Sequence, residues 1–200
     1  MSMKVYVEGG GDRRELKAKC REGFSTFLSK TGLAGQMPRV FAGGSRRKTY
    51  DAFCTTLADS TDEDFIVLLV DSEGPVMSDP WPHLQERDRW GKPTGATDGN
   101  AHLMVQCMEA WFLADKDALA HFFGADFNRN ALPQRAEVED IPKRDLERGL
   151  EAATRQCRKG AYHKGNHSFE ILAQLDPGKV IDASPHAERL VSTLLSKASG

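Results

Sequence analysis

Phe65-Ile66-Val67-Leu68-Leu69-Val70-Asp71-Ser72-Glu73-Gly74 is the stretch on which the reading of this chain turns. Its unbroken apolar run describes a strand covered on both faces, and such strands belong to parallel sheets packed between helices. The run is far short of the roughly 20 residues that cross a bilayer. It stops abruptly on Asp71, with Glu73 two residues on. Upstream, Lys4-Val5-Tyr6-Val7 alternates as a strand and ends in Glu8-Gly9-Gly10-Gly11-Asp12. A helix is predicted from about Arg13 to Ser29, with Leu16, Cys20, Phe24 and Leu28 on one stripe and Asp12 as its N-cap. Pro38 to Phe41 reads as a second strand, and Arg46 to Asp59 as a helix burying Tyr50, Phe53, Cys54 and Leu57.

Beyond the central strand lies a polar, Pro/Gly-rich stretch from Pro75 to Asn100 with a short helix near Pro82–Arg89. A fourth strand is expected at His102–Gln106, running into a helix over about Met108–Phe123. Strands alternating with helices imply an α/β fold with a mainly parallel sheet. From Leu132-Pro133 onward the pattern turns helical, at about Pro142–Cys157, Ser168–Leu175 and Pro185–Ala198. The expected organisation is an α/β core over residues 1–125 and a helical C-terminal extension over 126–200 packed on it.

Composition narrows the class. In 200 residues, 40% are hydrophobic and 28% charged, which excludes a disordered, collagen-like or disulfide-scaffold chain. Cys20, Cys54, Cys107 and Cys157 are widely spaced with no Cys-x-x-Cys, as expected of reduced thiols in a cytoplasmic protein. Met-Ser-Met-Lys enters the first strand at once, so no signal peptide is expected. The net charge of −2 argues against a general polyanion binder. Yet seven cations (Lys143, Arg144, Arg148, Arg155, Arg158, Lys159, Lys164) face three acids between Pro142 and Gly165, enough for one basic face.

Parallel sheets bind ligands outside the carboxyl ends of their strands. Glu8, Asp71 and Glu73 fall there, and Glu109 lies just past the fourth strand. Crowded carboxylates repel unless a hard cation neutralises them, and oxygen donors in a partly open site suit Mg²⁺ or Mn²⁺. Such a constellation serves phosphoryl chemistry. Each acid also has a plainer reading as a turn cap or a helix first-turn residue. The glycine run is no dinucleotide fingerprint, because Arg14 stands where the third glycine belongs, and no Walker lysine occurs. Arg46 opens the second helix, whose N-terminus favours phosphate. Lys159, Lys164 and His167 are further phosphate or nucleic-acid contacts. Zinc is not expected, since His163 and His167 lack a third ligand and Gly165 between them disfavours a shared helix face. Trp81, Trp90 and Trp111 read as packing residues.

Val5-Tyr6-Val7-Glu8-Gly9-Gly10-Gly11-Asp12 and Val67-Leu68-Leu69-Val70-Asp71-Ser72-Glu73-Gly74 resemble the catalytic motifs of Toprim domains. With Trp81-Pro82-His83-Leu84, Met108-Glu109-Ala110-Trp111-Phe112, Tyr162-His163-Lys164-Gly165 and His167-Ser168-Phe169-Glu170, the chain looks like a Toprim-like family of bacterial proteins of unknown function, often encoded beside ABC-type ATPases. The resemblance implies a three-layer α/β sandwich and Mg²⁺- or Mn²⁺-dependent nuclease activity on DNA or RNA, as a defence effector with an ATPase partner. It implies Glu8 as general acid/base or ligand, Asp71 and Glu73 as the metal pair, Glu109 as a further carboxylate and Lys164 as a catalytic cation. Glu73 stands where the family pattern has a second Asp, and Gly74 follows it directly, which argues against strand passage or priming. A non-catalytic regulatory subunit with a structural acidic metal site, and a phosphoacceptor domain using Asp71, are the rival readings. An oligomer is compatible with all three.

Overall fold

The computed structural model describes residues 2–33 and 35–199. Met1 and Gly200, the outer ends of the two expected parts, lie outside the described residues. Four strands, β1 (Ser2–Gly10), β2 (Arg39–Gly44), β3 (Asp64–Asp71) and β4 (Ala101–Met104), form one sheet in the order β2-β1-β3-β4. Every pairing is parallel; Val5 faces Val40 on one side and Val67 on the other. Nine α-helices lie among the described residues: α1 (Arg14–Ser29), α2 (Arg46–Ala58), α3 (Pro80–Asp88), α4 (Glu109–Ala114), α5 (Lys116–Phe123), α6 (Lys143–Thr154), α7 (Lys164–Gln174), α8 (Pro177–Ala183) and α9 (Pro185–Ala198). None of them is long and apolar enough to cross a membrane.

The crossovers assign the helices to faces. β1 to β2 runs one way across the sheet, while β2 to β3 and β3 to β4 run the other. Right-handed connections therefore put α1 on one face and α2 and α3 on the opposite one. The two-residue period of the strands matches that division. Val5, Val7, Val67 and Leu69 enter a core with Phe24, Phe27, Trp111, Phe112 and Leu172. Tyr6, Ile66, Leu68 and Val70 enter a second with Phe53, Trp81, Leu84 and Trp90. The result is a three-layer α/β sandwich.

The segment from residue 126 onward shares the first core through Leu146, Leu150, Phe169, Ile171 and Leu190. Helix α7 lies along α1, where a Cβ on Gly23 would stand 2.7 Å from the Phe169 carbonyl oxygen. Glycine at that position is what lets the two backbones approach.

Several local expectations are corrected. The N-cap of α1 is Arg13, without a side-chain bond, and Asp12 instead pairs with Lys48 at 2.5 Å. Helix α2 buries Thr49 and Phe53, while Tyr50, Cys54 and Leu57 are only half-buried. The long helix expected over Met108–Phe123 is two, α4 and α5. It breaks at Asp115, whose carboxylate accepts the Ala118 N–H at 3.3 Å and caps the second piece. Helix α7 begins at Lys164 and runs through Gly165. The cost of glycine there, about 1 kcal/mol, is outweighed by burying Phe169, Ile171 and Leu172. His163 and His167 thus frame the first turn, and the His163 N–H donates to His167 Nδ1 at 3.1 Å. Helix α8, opened by Asp176 and Pro177, has no counterpart in the sequence reading.

Candidate metal centre

The site is built from two strand ends. β1 leaves the sheet through Glu8-Gly9-Gly10, all three paired irregularly with Gly44 of β2. Gly10 is at φ 81, and a Cβ on it would lie 2.8 Å from Lys17 Cα. Only glycine lets the chain turn into α1 so tightly. β3 ends differently. Its last residue, Asp71, is 4% exposed and is followed by Ser72, whose N–H reaches the Met104 carbonyl at 2.8 Å. Glu73 then adopts φ 63 and donates its N–H to the Gln106 carbonyl at 3.0 Å; Gln106 is itself at φ 62. The Gln106 N–H returns to Ser72 Oγ at 2.8 Å. Two non-glycine residues in the left-handed region therefore brace each other beside the site.

This arrangement brings carboxylate oxygens of Glu8, Asp71 and Glu73 within 4.8 Å of one another. Each acid has a cationic neighbour. Arg46 donates to Glu8 Oε2 at 3.0 Å, to the Asp71 carbonyl, and to both oxygens of Asp88 at 3.0 and 2.6 Å. Glu8 Oε2 also accepts the Asp71 N–H at 3.3 Å, so the ends of β1 and β3 are tied through one carboxylate. Lys143 holds both oxygens of Glu73, at 2.8 and 2.7 Å. Lys164 reaches Asp71 Oδ2 at 3.5 Å and Glu109 Oε2 at 3.3 Å.

Burial pushes the Asp71 carboxyl up to about 7 against the pull of Lys164, and the charges of Glu109 and Glu8 add to the rise. The Met108 N–H at 2.8 Å from Oδ1 favours the ionised form. Glu109 is 3% exposed, yet it is held below the usual carboxylate range. Burial works against that, but the Lys164 charge and the Tyr162 hydroxyl at 2.9 Å outweigh it. Lys164 in turn is raised: burial opposes its charge, and Asp71 and Glu109 more than compensate. Its side chain is 52% exposed even though its ammonium lies against two buried acids.

A cavity of about 240 Å³ opens against this cluster, lined by Glu8, Gly9, Gly10, Gly11, Asp71, Lys164 and Phe169 among others. Of the residues singled out by sequence, Glu8, Asp71 and Lys164 line it. Glu73 borders a neighbouring cavity, and Glu109 stands behind Lys164. Arg46 is occupied as a tie between strand ends. Lys159 lies over the Phe122 ring at 4.0 Å, and His167 packs against Phe122, Phe123 and Tyr162; neither lines the cavity. Burial lowers the pKa of His167. Lys143, Asp88 and Gln106 had no site role in the sequence reading, and Tyr162 entered it only within the Tyr162-His163-Lys164-Gly165 motif. The only trace of Lys143 was its place in the basic count. The three acids fit a small divalent cation, being hard oxygen donors that converge from the end of β1 and from the end of β3 and the loop beyond it.

Fold and site define a class: a parallel α/β sandwich with a carboxylate centre at the carboxyl ends of its two middle strands. The chain belongs to a family described as a domain of unknown function, DUF4276, whose model matches residues 7–195. No curated protein and no solved structure matches it.

Proposed function

We propose that the chain is a Toprim-type phosphodiesterase that uses Mg²⁺ or Mn²⁺ to cleave nucleic acid, acting in the cytoplasm with an ATPase partner. The observation that carries this reading is the triad of Glu8, Asp71 and Glu73, converging within 4.8 Å beside Lys164. Asp71, Glu73 and Glu8 would hold the cation, which when bound would polarise the phosphate and acidify a water. The remaining work falls to the chain. Met108 N–H fixes the orientation of Asp71. Arg46 and the Asp71 N–H fix Glu8, which takes the proton of the attacking water. Lys164, steadied by Glu109 and Tyr162, meets a non-bridging phosphate oxygen.

A second reading is favoured by one observation: Lys143 already occupies both oxygens of Glu73. On that reading the chain is a regulatory subunit whose acids bind metal without turnover. A cleavage panel separates the two, using Mg²⁺, Mn²⁺ and chelator against DNA and RNA. Metal-dependent cleavage that collapses in Asp71→Asn supports the nuclease. Metal binding by calorimetry with no cleavage, alone or with the ATPase, supports the regulatory subunit. Cleavage indifferent to both chelator and Asp71→Asn would remove the site from the reaction.

A further inference from the structure

Glycines in this chain are mostly explained by the fold. A positive φ or a neighbouring backbone accounts for many of them, as at Gly10 and Gly23, while Gly91, Gly99, Gly165 and Gly178 meet only side-chain atoms beyond 3 Å. Gly74 is different. Among the described glycines it alone combines a φ outside the left-handed region with open space, no heavy atom lying within 4 Å of a built Cβ. Nothing in the folded chain requires glycine there. It directly follows Glu73 and borders a second cavity, of about 370 Å³, with Pro75, Met77, His83 and Arg87 on its walls beside two acids, Glu73 and Glu86. Beside a cluster of acids, the missing side chain leaves room for a close approach by something that is not part of the chain.

The two cavities flank the end of β3. Asp71 faces the glycine-walled cavity on one side, and Ser72 and Glu73 face the Gly74 cavity on the other. At about 240 and 370 Å³ they lie at the small end of ligand sites, room for a small unit of a longer strand. The first offers Phe169, Met108 and Leu16 as apolar surface, and the second offers Met77 and Pro75 with Arg87 at its edge. Asp71 lies 4% exposed at the junction. A phosphate embedded in a duplex cannot descend to it, whereas one in a flexible strand can. Arg46 and Lys143 are tied to acids, and Lys164 is the one Lys or Arg on the wall of the first cavity, which makes no track for a duplex backbone.

We propose that the substrate is an internal phosphodiester of single-stranded nucleic acid, with one nucleotide in each flanking cavity and the strand crossing over Gly74. This rests on the phosphodiesterase reading above. It adds that the strand continues on both sides of the scissile bond and passes through the open space at Gly74.

The test uses covalently closed single-stranded DNA and RNA circles, which have no ends, with matched linear strands, matched duplexes and the small diester bis(p-nitrophenyl) phosphate. In Mn²⁺ the wild-type protein should open the circles at least ten times faster than it cuts duplex. Gly74→Val should slow circle opening at least tenfold while its melting temperature and Mn²⁺ affinity stay at the wild-type values. Gly74→Ala, with a smaller side chain, should slow it less. The proposal is overturned by intact circles alongside mononucleotides released from linear ends, by duplex cut as fast as single strand, or by Gly74→Val opening circles at the wild-type rate. If either glycine variant fails to fold, the circle, linear and duplex comparison on wild-type protein still decides. Turnover of the small diester with intact circles overturns the proposal and leaves the phosphodiesterase reading standing. No turnover of any substrate overturns both.

Discussion

The ends of β1 and β3 lie side by side and hold the acids of one cluster, yet they are built on opposite principles. At the end of β1, Gly10 is compelled by the chain itself, through a positive φ and the α1 backbone pressed against it. At the end of β3 the compulsion is absent where glycine occurs, at Gly74, and present where it does not, at Glu73 with φ 63. The first end is a joint in the architecture. The second spends backbone strain to aim a carboxylate and leaves an unclaimed space beside it. Strain of that kind costs on the order of 1–3 kcal/mol per residue and persists only where surrounding bonds over-determine it. Ser72 Oγ and the Gln106 backbone supply those bonds.

The contrast is broken or sharpened most forcefully at Asp71. Asp71→Asn should lower metal-dependent phosphodiester cleavage by about 100-fold or more, the loss expected when a metal-bearing carboxylate becomes an amide. Steady-state rates at saturating Mn²⁺ measure it. Next comes Gly10→Ala, which forces a Cβ against Lys17 at a φ hostile to side chains, and should cost about 2–4 kcal/mol of stability in urea melts. If Gly10→Ala melts like wild type, the architectural view of the β1 end is wrong.

Metal addition addresses the β3 end. Mn²⁺ at about 100 times its dissociation constant should stabilise the wild type by about 2.7 kcal/mol, a rise of a few degrees in Tm, and Asp71→Asn should lose most of that rise. An equal rise in the mutant would take Asp71 out of the ligand set.

A pH series gives a reference point in the frame, away from both ends. His102 on β4 is 1% exposed, and burial, with the nearby Arg189 charge, lowers its pKa to about 3. The unfolded chain takes up that proton near pH 6.5, so stability is full above pH 6.5 and falls as the pH drops toward 3. Between pH 6.5 and 5 the fall from this group is roughly 2 kcal/mol, and it should vanish from the pH slope of His102→Asn. The smallest effect is predicted for Gly74→Ala, whose Cβ meets nothing and should change stability by less than about 0.5 kcal/mol. A large destabilisation there would erase the difference between the two strand ends.

How much of this was legible in the sequence follows from how local each feature is. The Phe65–Val70 run announced its strand because burial on both faces leaves no polar residue in the run. That Glu8, Asp71 and Glu73 share one edge of the sheet followed from their places at strand ends. The partners of those acids were invisible, since Lys143 lies 70 residues from Glu73 and Lys164 lies 93 from Asp71. The break at Asp115 carries no Gly or Pro to betray it; it is set by Lys179 and the Asp176 N–H, which claim the carboxylate from α8 and its approach. The left-handed Glu73 and Gln106 are held by bonds between separate loops, which no local propensity records. Gly165 misled in the other direction, because tertiary packing of α7 on α1 outweighs its weak helix preference.

The dependence of the acids on Lys143 and Lys164 has a consequence for how the protein is made. A ribosome delivers Glu8, Asp71, Glu73 and Glu109 well before either lysine. Until Lys164 emerges, Asp71 and Glu109 lack their shared cation, and α1 lacks α7, the helix packed along it. The nascent sheet is therefore electrostatically unfinished until then, and the acid cluster takes its final form only after Lys164 has been added.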